Sequence, residues 1–198
     1  DLRNRRLAQH AFKHAGDRLD ARLAVFDIRR PVANDFNGER RIDGAARHRG
    51  LEAEAERRAG ALSLRGSAMW LRARREGSAD ASVNGLKPAN VPARALKLQA
   101  AWNVDAVPGL ALVAFVTHEG ERMVLPDNAV ATPGWTRIDL AARWRQMLGT
   151  RNVVWRLGLD NATDRRAWQE APYQFGHAYL YPLAPNGRQM AENVRLSG

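Results

Sequence analysis

The sequence predicts an all-β protein, an antiparallel up-and-down meander of about nine strands, and three observations support this prediction. Apolar and polar residues alternate with the period of two typical of a strand along most of the 198-residue chain. The connections between these alternating stretches are short and long in turn. Patterns typical of an amphipathic helix are almost absent.

The clearest alternation lies in residues 136–145, where Ile138 and Leu140 share one face and Arg137 and Asp139 share the other. A strand with these two faces separates an apolar surface from a charged one. The same pattern, weaker in some stretches, predicts the other strands, which in chain order are residues 6–14, 19–28, 51–58, 62–73, 97–104, 110–118, 153–160 and 188–197.

The connections predict how the strands are arranged. Four are short enough for hairpins, with glycine where a positive φ is needed, at residues 15–17, 58–60, 105–109 and 148–151. Four are long, at residues 29–45, 74–94, 119–135 and 161–187. The last of these begins with Asn161, whose side chain can bond the backbone where a strand ends. Short turns at one end and long loops at the other are the layout of an outer-membrane barrel.

The apolar faces are predicted to contact lipid rather than a protein core. They consist mainly of Ala, Leu and Val, which suit a surface against acyl chains better than an interlocking core. The opposite faces carry charges that can pair across neighbouring strands, as Glu56 and Arg65 can. Trp102, Trp144 and Trp155 fall at the short-turn end of their strands, so they are predicted to form one membrane girdle.

The formal net charge of +10 first suggests a nucleic-acid partner. The basic residues are nearly all arginine, however, and they are spread along the chain beside 21 acidic residues without a recognition motif. We therefore expect no nucleic-acid partner. A soluble all-β ligand carrier and a basic nucleic-acid-binding module stay as the alternatives to a membrane barrel.

The sequence contains no pattern typical of catalysis or metal binding. There is no cysteine, which excludes disulfides and thiolate metal sites. Among five histidines only His10 and His14 lie close together, and no carboxylates cluster beside them. The serines show no nucleophile pattern. We therefore expect a binding and transport protein rather than an enzyme, with no catalytic residue, no metal ligand and no cofactor.

Four segments resemble the C-terminal barrel half of TonB-dependent outer-membrane receptors, especially the siderophore receptors. They are RHRGLEAEAERR (47–58), GLKPANVPARALKLQAAW (85–102), PGWTRIDLAARWR (133–145) and LGLDNATDRRAW (157–168). Each is short, and their order and spacing give the resemblance its specificity. Pro88 and Pro92 fit it, because they lie in a long loop before a strand, where no ladder donor is missed.

The resemblance implies that residues 1–198 are the C-terminal portion of a receptor barrel of about 22 strands, with the plug domain and N-terminal strands absent. It implies uptake of a ferric siderophore or similar chelate across the outer membrane of a Gram-negative bacterium. The implied partners are this ligand, outer-membrane lipid and TonB, which acts through the absent plug. The chain is then an open segment of a larger transmembrane β-barrel, with apolar side chains on its convex face and charged ones on its concave face.

A receptor of this kind needs charged groups and aromatic rings in its long loops and upper lumen. The predicted ligand-binding candidates are Arg40, Arg41, Arg74, Arg75, Arg165, Arg166, Trp168, Tyr173, Phe175 and His177.

Overall fold

The computed structural model describes residues 5–14, 19–36, 39–174, 176–185 and 187–197. In chain order the strands are β1 (Arg5–His14), β2 (Leu19–Phe36), β3 (Glu39–Ala59), β4 (Leu62–Glu76), β5 (Arg94–Asn103), β6 (Leu110–Glu119), β7 (Arg122–Met123), β8 (Ala131–Thr132), β9 (Trp135–Leu148), β10 (Arg151–Asp160), β11 (Trp168–Glu170), β12 (Tyr173–Gln174), β13 (His177–Ala178), β14 (Tyr181–Pro182) and β15 (Gln189–Ser197). One short 3₁₀ helix, η1 (Ala81–Val83), precedes β5. In the described part of the chain no helix is long and apolar enough to cross a bilayer.

Nine of the strands form a single antiparallel sheet in the order β1-β2-β3-β4-β5-β6-β9-β10-β15. Each pairs with the next long strand along the chain, so the prediction of an all-β up-and-down meander is confirmed. Within the described residues, β1 pairs only with β2 and β15 only with β10, so the sheet is open, as predicted.

Strand register aligns the apolar side chains into one continuous face. Leu64 lies opposite Ala100, which lies opposite Ala114, and the row continues through Leu140 to Leu159. Leu64 and Leu140 are 44% and 42% exposed, so this face has no packed core against it. A soluble carrier would bury such a row inside a barrel, and the exposed face therefore argues against that alternative.

The opposite face of the sheet is polar. Arg65 and Glu56 form a cross-strand ion pair of 2.6 Å between Nη2 and Oε2, as the sequence predicted. Gln99 and Lys97 of β5 and Thr117 of β6 continue this face. Together with charged residues of β2 and β3 they line a cavity of about 710 Å³. The charged face of the sheet thus lines this cavity.

The three tryptophans lie on the apolar face, next to the short connections. Trp155 lies directly opposite Trp144, and Trp102 lies opposite Leu112. The Trp144 indole donates to the carbonyl of Pro108 at 3.3 Å, in the turn between β5 and β6. All three tryptophans are exposed, and Trp144 lies opposite Leu110, two residues from the Leu112 that pairs with Trp102.

The prediction of a long loop at residues 29–45 was wrong. β2 and β3 run on for 18 and 21 residues as one hairpin, because backbone pairing continues where the apolar alternation ends. A register shift between Pro31 and Ala33 accommodates the proline, which cannot donate a ladder hydrogen bond. β4 likewise continues to Glu76, so residues 74 and 75 lie on a strand rather than in a loop.

The other long connections fold into small units of their own. β7 pairs with β8, β11 with β14 and β12 with β13. Among the predicted short turns, Gly60 and Gly149 have positive φ values of 55° and 63°, as their turns require. The predicted turn at residues 15–17 lies outside the described residues.

Candidate functional site

The long connections surround a polar cavity of about 560 Å³ at their end of the sheet. The β2–β3 hairpin contributes Asn34 and Arg40, the connection between β6 and β9 contributes Asp127, and the β12 strand contributes Tyr173. Segments far apart in the sequence therefore meet around one space. Its size suits a small-molecule ligand.

Asp43 organises the floor of this cavity. Its Oδ2 accepts hydrogen bonds of 2.6 Å from the Ser78 hydroxyl and from the Asn34 amide, and its Oδ1 accepts one of 2.7 Å from the backbone N–H of Ala79. The Arg75 Nη2 lies 3.4 Å from Oδ2. These donors, the Ser78 hydroxyl first, hold the pKa of the Asp43 carboxyl below its ordinary value. Asp43 is therefore a fixed negative charge.

Arg75 has a structural role that the sequence analysis did not foresee. Its side chain is only 7% exposed, and its charge is balanced by Asp43. The Nε of Arg75 is buried without a hydrogen-bond partner among the described residues. Arg75 thus holds the floor together and presents little of its guanidinium to a ligand.

The cavity is not basic, although most of the ligand-binding candidates predicted from the sequence are arginines. Two arginines, Arg40 and Arg75, face three aspartates, Asp43, Asp80 and Asp127, which gives a formal charge of −1. These aspartates are not predictable from the sequence, because loop acids are usually solvated and no spacing marks them as neighbours of Arg40.

The remaining candidates are dispersed. Arg41 pairs with Glu39 on the β2–β3 hairpin. The strand register places Arg74 on the face that carries Leu51 and Trp70, away from the cavity. Four further candidates are exposed residues of the last long connection and do not line the cavity, namely Arg165, Arg166, Trp168 and His177. Phe175 lies outside the described residues. The structure therefore brings together Arg40, Arg75 and Tyr173 but not the whole predicted set.

Two asparagines fix the connections around the cavity. The Asn90 Oδ1 accepts from the backbone N–H of Ala171 at 2.8 Å and from the Arg122 guanidinium at 3.1 Å. Asn161 is fully buried, and its side chain bonds both the N–H and the carbonyl of Arg165 at 2.8 Å. The prediction that Asn161 ends its strand by bonding the backbone is confirmed.

The site contains no metal centre of the common kind. Within the described residues no three His, Asp or Glu side chains come close enough to hold a metal ion together. The chemistry available in the cavity is hydrogen bonding, ion pairing and contact with the Tyr173 ring. These groups suit reversible binding of a polar molecule.

Relatives of this chain are receptors for iron chelates. The ferrichrome receptor FcuA of Yersinia enterocolitica is 25% identical over 188 residues, covering 92% of this chain and 24% of the relative. BauA, the ferric preacinetobactin receptor of Acinetobacter baumannii, is 22% identical with a TM-score of 0.75, covering 89% of this chain and 27% of that chain. FyuA, the ferric yersiniabactin uptake receptor of Yersinia pestis, is 20% identical with a TM-score of 0.74, covering 93% and 28%. This chain thus spans about a quarter of the length of these relatives.

The family described as TonB dependent receptor-like, β-barrel, matches residues 11–162. Its members are transport receptors of the Gram-negative outer membrane and not enzymes, so the expected location and the expected non-enzymatic role are both confirmed. The open meander with one apolar and one polar face has the fold of the solved siderophore receptors. The chain belongs to the family of TonB-dependent receptor β-barrels.

Proposed function

We propose that the complete protein is an outer-membrane receptor that takes up a ferric siderophore or similar iron chelate, energised by TonB through a plug domain. Residues 1–198 would be the C-terminal portion of its barrel. The observation that carries this proposal is the polar cavity walled by the long connections, the end of the sheet that faces outside the cell in outer-membrane barrels. The names of the relatives, which are receptors for iron chelates, support the same ligand class.

The cavity favours a chelate of low net charge. Its two arginines and three aspartates nearly cancel, and Arg75 is already neutralised by Asp43. Among the predicted candidates that line the cavity, Arg40 and Tyr173 are exposed and can contact a ligand, one with a charged donor and the other with a ring. We propose these two residues as the ligand contacts that this chain contributes.

Binding of ferric chelates to the complete receptor tests this assignment. Tyr173→Ala should weaken chelate binding about fivefold, because a ring contact that the ligand buries contributes on the order of 1 kcal/mol. Tyr179→Ala is the matched control, since Tyr179 is exposed in the same connection but does not line the cavity. The proposal fails if a strain lacking the receptor takes up every ferric chelate as fast as its parent.

The apolar face is proposed to contact outer-membrane lipid, with Trp102, Trp144 and Trp155 as its girdle at the short-turn end. Their exposure and the direct opposition of Trp144 and Trp155 support this proposal. Lipids brominated near the headgroup should quench the fluorescence of these tryptophans more strongly than lipids brominated at the chain end. Replacing all three by Phe should reduce that difference, while Trp70 at the other edge of the apolar face keeps its own share, and an unchanged difference would contradict the girdle.

A further inference from the structure

A group of arginines lies on the outer, apolar face of the sheet just beyond the apolar rows. We name it the outer arginine cluster, and its members are Arg29, Arg47, Arg49, Arg72, Arg74 and Arg94. It lies at the end of the sheet that carries the long connections. Charged side chains on a lipid-facing surface are costly at mid-bilayer and nearly free at the interface, so their position indicates where the apolar layer ends.

Strand register puts the cluster on one face. Arg49 lies opposite Arg72, and Arg47 lies opposite Arg74. Trp70 lies opposite Arg94. Since side chains alternate between faces, Arg72 and Arg74 project on the side of Trp70, which is 53% exposed. The cluster therefore continues the apolar face over β2, β3, β4 and β5.

Two carboxylates hold part of the cluster in place. Asp27 accepts two hydrogen bonds from Arg47, at 2.9 and 2.6 Å, and one from Arg49 at 3.1 Å. Glu76 pairs with Arg29 at 2.7 Å. Despite these pairs, the guanidinium-bearing side chains stay open to the surroundings, with Arg29 and Arg49 65% and 57% exposed.

The cluster keeps a large excess of positive charge. Six arginines against Asp27 and Glu76 give a formal charge of +4. Within the described residues, Arg72 and Arg94 form no ion pair, and the Arg74 guanidinium donates only to the Ala73 carbonyl at 2.9 Å. These three arginines have donors left for an anion from outside the protein.

The opposite end of the apolar face differs. Arg57 faces outward there because it pairs with Leu64 of the apolar rows, and Arg151 does so because it pairs with Leu148. These two lie at separate places along the sheet, on β3 and β10, and form no cluster. Among the side chains that the structure describes, outward arginines are thus concentrated at the end with the long connections.

We propose that the outer arginine cluster binds the phosphate groups of outer-leaflet lipid. Arginine binds phosphate with paired, charge-assisted hydrogen bonds, and several guanidinium groups on one surface can hold more than one phosphate oxygen. Because the cluster borders the apolar face, a phosphate bound to it can be attached to acyl chains that cover Trp70 and Leu51. A lipid satisfies both features at once, whereas a free anion satisfies only the charge. This inference rests on the membrane orientation in the proposed function.

The test uses the complete receptor purified in detergent and titrated with a phosphorylated lipid, with binding followed by native mass spectrometry. Arg72→Gln/Arg94→Gln should weaken binding of the phosphorylated lipid about tenfold or more, because it removes two guanidinium groups that form charge-assisted hydrogen bonds to phosphate. The matched control, Arg57→Gln/Arg151→Gln, should bind like the parent. Heat-modifiable gel mobility checks that both variants are folded.

Two further arms identify the bound group. A dephosphorylated form of the same lipid should bind the parent receptor as weakly as the phosphorylated form binds Arg72→Gln/Arg94→Gln. Inorganic phosphate at equal concentration should not displace the lipid, and full displacement would overturn the lipid assignment. Equal binding of both lipid forms, or no effect of the double substitution, would overturn the proposal. Chelate binding in the same samples tests the proposed function separately, because neither residue lines the cavity.

Discussion

Asp43 and Arg75 lie buried together in the floor of the polar cavity, with the Asp43 Oδ2 3.4 Å from the Arg75 Nη2. Asp43→Asn removes the negative charge and leaves the buried guanidinium uncompensated. Losing one partner of a buried pair costs on the order of 3 kcal/mol, so the connection after β4 should open locally. Faster protease cleavage within residues 77–86 of the complete receptor is the expected result. Asp127→Asn, an exposed aspartate of the same cavity, should leave cleavage unchanged.

The stability of the loop that the Asp43 carboxyl holds should depend on pH. The pKa of this carboxyl is lowered from 3.8, the Ser78 hydroxyl being the main cause, so the bonds of Asp43 stabilise the folded loop above pH 3.8. This stabilisation is lost as the pH falls below 3.8 through the lower pKa of the folded state. The Ala79 N–H should lose its protection from hydrogen exchange over that range. In Asp43→Asn the pH dependence should disappear, and its persistence would assign the titration to another group.

Asn161 offers a test of how the last long connection is fixed. Asn161→Ala removes its side-chain bonds to Arg165 and places alanine at a φ of +51°. Together these losses should cost about 3 kcal/mol and lower the thermal midpoint of the receptor in detergent. Asn161→Gly accepts the backbone angle and should cost about 1 kcal/mol less. The exposed Asn103→Ala is the control, and equal midpoints for all variants would contradict the assigned role.

Gly50 and Gly66 lie on neighbouring strands, and alanine should be tolerated at Gly66 but not at Gly50. A Cβ at Gly50 would lie 2.4 Å from the Phe26 Cζ and 2.6 Å from the Trp70 carbonyl oxygen. A Cβ at Gly66 would lie 2.9 Å from the Leu98 Cδ2, the end of a flexible and exposed side chain, and at an ordinary contact distance of 3.8 Å from the Lys97 carbonyl oxygen. Gly50→Ala should therefore cost about 1–3 kcal/mol and reduce the folded, heat-modifiable band. Gly66→Ala should keep that band, and the reverse order would refute the packing argument.

The strands were predictable because their signal is local. Alternation places Leu140 and Asp139 on opposite faces whatever the neighbouring strands do, and the structure has them so. The β2–β3 hairpin was missed because its upper part has no apolar face, and charged alternation there was interpreted as a loop. Its backbone ladder continues through cross-strand pairs such as Arg30 with Ala46 and Asn34 with Arg41, which composition alone does not reveal.

The site was less predictable, because it depends on bonds between distant residues. Asn90 and Ala171 are 81 positions apart, yet their hydrogen bond helps to fix the connections around the cavity. Nothing near Arg40 in the sequence marks Tyr173 as its neighbour across that space. Arg75 was chosen for its charge, although burial beside Asp43 makes it a structural residue. Residue type identified the candidates, and only the folded loops separate the exposed candidates of the cavity from buried Arg75.

The open sheet has a consequence for how this chain can be handled. Along the free sides of β1 and β15, roughly every second residue directs its N–H and C=O away from the existing ladder. Those groups can form a ladder with a further strand at each edge. A co-expressed segment that carries the preceding strands of the receptor should pair with them and restore a closed wall, as in a split protein rebuilt from two pieces. Reconstitution from two polypeptides would then report strand order without any chemical cross-link.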